Sequence, residues 1–139
     1  MEDYNEEYEK VKSWAKSKGY YVSENNKNRD MVCFEERIIY INSRQSYENM
    51  LYAIIHESGH ILTNNNIKYF LEKHPIYPYH ITDGRVTKSK KYSVCLISEE
   101  LEAWKRGLGL AKKLNIKIDK NNFFKIMIDS VWSYIDSIN

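Results

Sequence analysis

The spacing of apolar and polar residues along the chain predicts four helices and a small sheet. The first helix is predicted over residues 4–17, with Tyr4, Tyr8, Val11 and Ala15 at helical spacing, and Gly19 suits its end. Three short β-rich segments follow, at 20–22, 31–34 and 38–41. Because tight polar connections separate these segments, we interpret them as a small antiparallel sheet.

A second helix is predicted to begin near Ser46, which is a suitable N-cap, with Glu48 in the first turn, where a negative charge is favourable. Its apolar positions continue to Leu62, and the run of three asparagines at 64–66 ends it. Residues 67–92 are polar and aromatic and contain both prolines of the chain. They predict a long excursion, and loops of this length are usually functional or mobile.

Two further helices are predicted at about 93–114 and about 120–138, with Asp119 as the cap of the last one. Each carries an apolar stripe that we expect to face the core. The stripe of the third helix is Val94, Ile97, Leu101, Trp104, Leu108 and Ala111; that of the fourth is Phe124, Met127, Ile128, Val131, Ile135 and Ile138. We also expect Trp14, Trp104 and Trp132 in the core. The order of elements predicts an α+β fold in one domain spanning 1–139.

Composition narrows the class of protein without naming a function. The 139 residues are 42% apolar and 29% charged with a net charge of +2, which argues against a dedicated nucleic-acid binder. Cys33 and Cys95 are far apart and are predicted to be free thiols in the core of a protein from a reducing compartment. Neither a secretory signal nor an apolar run of about 20 residues is present, so we expect a cytoplasmic protein without a membrane partner.

The motif with the most chemical content is His56-Glu57-Ser58-Gly59-His60. Residues at i and i+4 of a helix are neighbours, so the two imidazoles can bind one Zn²⁺ ion. Glu57 can reach a water molecule at the same ion without binding the metal itself. Ser58 and Gly59 are interpreted as small residues that let another element approach the helix.

A catalytic zinc site needs a third protein ligand, and the candidates are Glu99, Glu100, Glu102, His74 and His80. Glu100 lies about 60° from the centre of the third helix's apolar stripe, at the margin of the buried face. Glu99 and Glu102 lie about 140–160° away and are expected to face solvent, with Glu102 paired to Arg106. We therefore choose Glu100, while His74, His80 and the neighbouring glutamates stay open as alternatives.

These motifs resemble the ImmA/IrrE-type family of small zincins, and still more the short metallopeptidase-like proteins of bacteriophages and mobile elements. The later helix matches their E-x-x-A-W-x-x-G pattern at Glu100, Ala103, Trp104 and Gly107, and the resemblance covers about 31–115. Trp104 stands where ImmA-type proteins usually have asparagine, and the long C-terminal part of that family is lacking. The resemblance implies a zincin-like fold with zinc held by His56, His60 and Glu100, and with Glu57 as general base.

The function predicted from these residues is zinc-dependent hydrolysis of a peptide bond in an intracellular protein. We expect the oxyanion of the reaction to need a further donor, with Tyr77, Tyr79, His74 and His80 in the excursion as candidates. One alternative is a zinc-bound interaction module without proteolysis. The other is a nucleic-acid-associated factor that uses the basic residues of the last two helices and of the connection between them: Lys105, Arg106, Lys112, Lys113, Lys117 and Lys120.

Overall fold

The computed structural model describes residues 4–66, 68, 72 and 90–136, and these form an α+β fold. Its four bounded helices are α1 (Tyr4–Ser17), α2 (Tyr47–Asn65), α3 (Lys90–Lys113) and α4 (Lys120–Asp136). Its strands are β1 (Tyr21–Asn25), β2 (Met31–Cys33) and β3 (Ile38–Asn42). The prediction of a long excursion over 67–92 was wrong at its end, because α3 already begins at Lys90. Lys68 and Glu72, near its start, are helical too. The rest of that segment lies outside the described residues.

The sheet is mixed, so the prediction of an antiparallel sheet was wrong for one of its two strand pairs. The strand order is β1-β3-β2, with β2 antiparallel to β3 and β1 parallel to β3. The chain reverses after β1 and again after β2, so that β3 runs in the direction of β1 and inserts between the two earlier strands. Ile39 and Ile41 lie on the same face of β3, and both are completely buried because this face contacts α2.

Helix α1 matches its prediction in both bounds and buried face. Tyr8, Val11 and Ala15 are buried at helical spacing. Gly19 adopts a φ of +88°, a conformation that side chains disfavour, and the chain then turns so that the Tyr20 amide donates to the Ala15 carbonyl at 3.0 Å. This ending directs the chain from α1 into β1.

Helix α2 is the central element of the fold and carries the His-Glu motif. The predicted cap is confirmed, because the Ser46 hydroxyl accepts a hydrogen bond from the Asn49 amide at 3.1 Å. Twelve of its residues are buried, since α1, the sheet and α3 all pack around it. Polar side chains on such a helix need partners from the surrounding elements, and this requirement applies to Glu57 and His60.

Small residues allow α2 and α3 to cross with their backbones in contact. A Cβ atom at Gly59 would lie 1.8 Å from the Ala103 carbonyl oxygen, and one at Gly107 would lie 2.5 Å from the Ile55 carbonyl oxygen. The buried face of α3 is therefore centred on its small residues. The predicted apolar stripe was displaced from it: Val94 is 59% exposed and Leu101 is 43% exposed.

The predicted stripe of α4 was also wrong in part. Phe123 and Val131 are its buried residues, and Phe123 packs edge-on against the rings of Tyr52 and Trp104. Four apolar residues of α4 are exposed instead: Phe124, Ile128, Trp132 and Ile135. Of the three tryptophans expected in the core, Trp104 is buried and Trp14 is partly buried. Both faces of α4 are apolar, so only its contacts with α2 and α3 select the inner one.

The two cysteines are free, as predicted, with Cys95 buried and Cys33 partly exposed. The predicted cap of α4 is confirmed, since the Asp119 carboxylate accepts from the Asn122 amide at 3.2 Å. Within the described residues, no helix has the length and apolar character needed to cross a membrane.

A carboxylate in the first turn of α2 joins three helices. Glu48 accepts hydrogen bonds from the hydroxyls of Tyr52 at 2.6 Å and Tyr4 at 3.2 Å, and from the Asn122 amide group at 3.1 Å. The bond from Tyr52 is the largest cause that lowers the pKa of Glu48 below the ordinary 4.5. Because the pKa is lower in the folded state, Glu48 stabilises the fold fully at neutral pH and loses this effect in acid.

Glu48→Gln is expected to destabilise the protein by about 1 kcal/mol at pH 7, because a neutral amide accepts these bonds more weakly. The deficit should shrink as the pH falls from 4.5 through the lowered pKa of Glu48. Urea unfolding followed by circular dichroism at pH 7 and about pH 3.5 measures it. Glu102→Gln, which removes only a partly exposed pair with Arg106, is the control. A deficit equal at both pH values would contradict this role of Glu48.

Candidate metal centre

The residues of the His-Glu motif meet two acidic residues of α3 where the two helices cross. His56, Glu57 and His60 lie on α2, and Glu99 and Glu100 lie on α3. Glu57, His60 and Glu100 are at most 9% exposed. The close approach at Gly59 and Ala103 is what brings these side chains within reach of one another, since Gly59 adjoins His60 and Ala103 lies one helical turn after Glu100.

Both histidines direct their Nε2 atoms to the carboxylate of Glu100. His56 Nε2 lies 2.8 Å from Glu100 Oε2, and His60 Nε2 lies 3.3 Å from Glu100 Oε1. Around a tetrahedral zinc ion with bonds of about 2.0–2.1 Å, neighbouring ligand atoms are about 3.3 Å apart. One carboxylate thus contacts both imidazoles, at 3.3 Å from His60 and at the shorter distance of a direct hydrogen bond from His56.

Glu99 takes part in the same cluster, so its predicted position in solvent was wrong. Its Oε1 lies 2.9 Å from His60 Nδ1, and its side chain is 17% exposed. His60 therefore has a carboxylate at each ring nitrogen, Glu100 at Nε2 and Glu99 at Nδ1. A histidine that binds a metal through one nitrogen usually donates from the other to a carboxylate of this kind, which orients the ring. The predicted pair of Glu102 and Arg106 is present at 3.0 Å.

Two aromatic residues complete the surroundings of the cluster. The indole of Trp104 stacks on the imidazole of His56, with ring centroids 4.1 Å apart and planes within 6°. The hydroxyl of Tyr134, on α4, donates to Glu100 Oε1 at 3.0 Å. These contacts restrict the orientation of the His56 ring and of the Glu100 carboxylate, as expected of a rigid ligand site.

The charges of the cluster favour a bound cation. Burial lowers the pKa of His60, but its hydrogen bonds to the carboxylates of Glu100 and Glu99 outweigh this effect and hold that pKa well above its ordinary value. Burial raises the pKa of Glu100, but the bonds from His56 and His60 outweigh it and hold that pKa far below its ordinary value. Three carboxyl groups around two imidazoles thus attract positive charge, which protons or a metal ion can supply.

The donor atoms of this cluster fit a metal ion. Ligand atoms of His56, Glu57 and His60 lie within 4.8 Å of one another, as do those of His60, Glu99 and Glu100. Imidazole nitrogen and carboxylate oxygen are ligands that zinc accepts. The buried histidine and glutamate groups could therefore hold a metal ion.

Glu57 is buried beside His56 and His60. Its Oε1 lies 3.6 Å from His56 Nδ1, and burial is the main reason why the pKa of Glu57 is raised. A carboxyl group whose pKa is raised toward neutral pH is suited to accept and return a proton. The role of a general base stays a prediction.

His56, Glu57, His60 and Glu100 line a cleft of about 760 Å³. One wall is formed by residues of β2 and its flanking turns, among them Met31, Val32 and Phe34. The opposite wall is formed by Ile126, Ser130, Ser133 and Tyr134 of α4. A cavity of this volume accommodates a ligand of several residues or a small molecule.

The structure brings together all four residues singled out from the sequence, His56, Glu57, His60 and Glu100. His74, His80, Tyr77 and Tyr79 lie outside the described residues. Sequence reasoning missed Glu99 and Tyr134 and assigned Trp104 to the core alone. Tyr134 could have been found by centring the inner face of α4 on Phe123 and Val131, because Tyr134 follows Val131 by three residues on that face.

Comparison of the chain with protein-family models, with curated proteins and with solved structures finds no match. The site is therefore interpreted from its own geometry.

Proposed function

We propose that the protein is a zinc-dependent peptidase in which His56, His60 and Glu100 hold the ion and Glu57 is the general base. The observation that carries this proposal is the convergence of both imidazole Nε2 atoms on the Glu100 carboxylate, at 2.8 and 3.3 Å, inside an open cleft. Three protein ligands leave a fourth zinc position for solvent, which distinguishes a catalytic zinc site from a structural one.

Each residue around the ion has a separate role in the proposed reaction. Zinc, when bound, supplies Lewis acidity and lowers the pKa of water. Glu57 takes a proton from the attacking water and returns it to the leaving amine, for which its raised pKa is suited. Glu99 orients His60 through Nδ1, and Trp104 orients His56 by stacking. Tyr134 holds one oxygen of Glu100 and presents a phenol at the same end of the cleft.

The form of the cleft favours a peptide as substrate. Among the described residues, β2 pairs with β3 on one side only, so its other edge presents free backbone donors and acceptors. Met31 and Val32 of this strand line the cleft next to the metal cluster. An extended peptide can hydrogen-bond to such an edge and place one of its carbonyl groups near the ion.

A graded series of glutamine variants on α3 tests the metal site. The wild-type protein is expected to bind about one zinc ion per chain. Glu100→Gln should weaken zinc binding by more than about 100-fold, because it removes a ligand, and Glu99→Gln by about 10–100-fold, because it removes an outer partner. Glu102→Gln should bind zinc like the wild type, since its carboxylate pairs with Arg106.

Elemental analysis after dialysis gives the stoichiometry, and competition with a chromophoric chelator gives the affinities. Circular dichroism of each variant shows that it is folded. A folded wild-type protein that binds no zinc at neutral pH would overturn the proposal. A larger loss in Glu99→Gln than in Glu100→Gln would exchange the roles of the two glutamates.

A further inference from the structure

The outward face of α4 carries a continuous row of large apolar side chains. Phe124, Ile128, Trp132 and Ile135 are exposed by 39%, 60%, 61% and 43%. Their spacings of four, four and three residues place them on one stripe of the helix. The stripe differs from the inner face, where Phe123 and Val131 are buried. Since soluble monomers rarely expose contiguous apolar rows of this kind, the stripe indicates an interaction surface.

Opposite charges border this stripe at its two ends. Lys125 and Asp136 are both exposed, and neither takes part in an ion pair among the described residues. At about 100° per residue, both lie on the same side of the stripe, about 60° and 80° from its centre line. The positive charge is near the start of the stripe and the negative charge is near its end.

We propose that this surface binds a second copy of the chain, with the two α4 helices packed antiparallel around a two-fold axis between Ile128 and Trp132. In this arrangement, residues equally distant from the axis meet, so Lys125 faces the partner's Asp136 and Asp136 faces the partner's Lys125. Parallel packing around a two-fold axis would instead place the two copies of each charge on opposite sides of the seam, where neither meets an opposite charge. The antiparallel helix dipoles are also favourable.

The length of the stripe limits the area of the interface and therefore the affinity of the dimer. Phe124 and Ile135 are about 17 Å apart along the helix, so the interface is a single helix–helix seam with Ile128 and Trp132 at its centre. Such a seam is at the small end of specific interfaces, and we expect a dissociation constant on the order of 10 μM. This inference is independent of the proposed peptidase activity, since none of the stripe residues lines the metal cleft.

Sedimentation velocity of the full chain from about 1 to about 200 μM tests the proposal. The apparent mass is expected to rise from the 16.6 kDa of the monomer toward twice this value. Ile128→Asp should remain monomeric throughout, because the symmetry places two carboxylates at the centre of an apolar seam. Val94→Asp is the matched control: Val94 on α3 is 59% exposed, against 60% for Ile128, and its variant should dimerise like the wild type.

Charge exchange tests the direction of the helices. Lys125→Glu and Asp136→Lys should each weaken the dimer at least about fivefold, because each replaces two attractions by two repulsions. The double variant should restore wild-type affinity. A protein that stays monomeric at every concentration would overturn the proposal, and the stripe would then have to bind a partner other than a second copy of the chain. A dimer that survives Ile128→Asp, or charge variants without mutual rescue, would overturn it as well.

Discussion

Gly59→Ala is expected to destabilise the fold by about 3 kcal/mol or more, although alanine is the better helix former. The added Cβ would lie 1.8 Å from the Ala103 carbonyl oxygen and 2.6 Å from its carbonyl carbon. Both atoms belong to the backbone of α3, so no side-chain rotation relieves the collision and the helices must separate. Because His60 and Glu100 lie on either side of this contact, the separation should also weaken zinc binding.

Gly109→Ala is the matched control, since it is the same change on an exposed position of α3 with no atom within 4 Å of the added Cβ. It should stabilise the protein by about 0.5–1 kcal/mol through helix propensity alone. Urea unfolding followed by circular dichroism gives both free energies. If the two variants had equal stabilities, α2 and α3 would not cross in the close contact described above.

Glu57→Gln is expected to reduce peptide hydrolysis at least about 1,000-fold, equivalent to about 4 kcal/mol in activation free energy. The amide has nearly the shape of the carboxylate but cannot accept the proton of the attacking water. Because the proposed mechanism gives Glu57 no bond to the ion, the variant should keep its zinc. Loss of activity with retained metal is the signature of a general base, whereas loss of a ligand removes both.

The assay uses a library of peptides from a digested proteome, with new termini identified by mass spectrometry after incubation with the zinc-loaded protein. Glu102→Gln is the control and should cleave like the wild type. Wild-type protein that binds zinc but leaves every peptide intact would refute the peptidase proposal and favour the zinc-bound interaction module. Equal cleavage by Glu57→Gln and the wild type would exclude Glu57 as the base.

Local sequence patterns were sufficient to predict the helices and strands and to identify part of the candidate site. Helix bounds depend on caps and on apolar spacing within a few residues, and Ser46, Gly19 and Asp119 each acted as their residue types predict. The convergence of His56 and His60 follows from the helical repeat. Glu100 could be chosen from the sequence because a carboxylate at the margin of an apolar face needs a partner.

The direction of strand pairing and the face that each helix buries could not be predicted from local sequence patterns. Whether β1 pairs parallel or antiparallel depends on which edge of β3 it occupies, and that choice is made by contacts between distant segments. The predicted apolar stripe of α3 was displaced from the face that is actually buried. A prediction from hydrophobicity gives little weight to the small residues Ala103 and Gly107, although the close backbone contact with α2 occurs there. That displacement is why Glu99 was predicted to face solvent.

Site contacts within a single helix could therefore be predicted from the sequence. Site contacts between two helices could be seen only in the tertiary structure. The i,i+4 geometry of the histidines is a property of the backbone and holds wherever the helix lies. The carboxylates at the two nitrogens of His60, the indole on His56 and the phenol on Glu100 are set by how closely α2, α3 and α4 approach. Contacts between side chains far apart in sequence decide that distance, and a helical repeat contains no information about them.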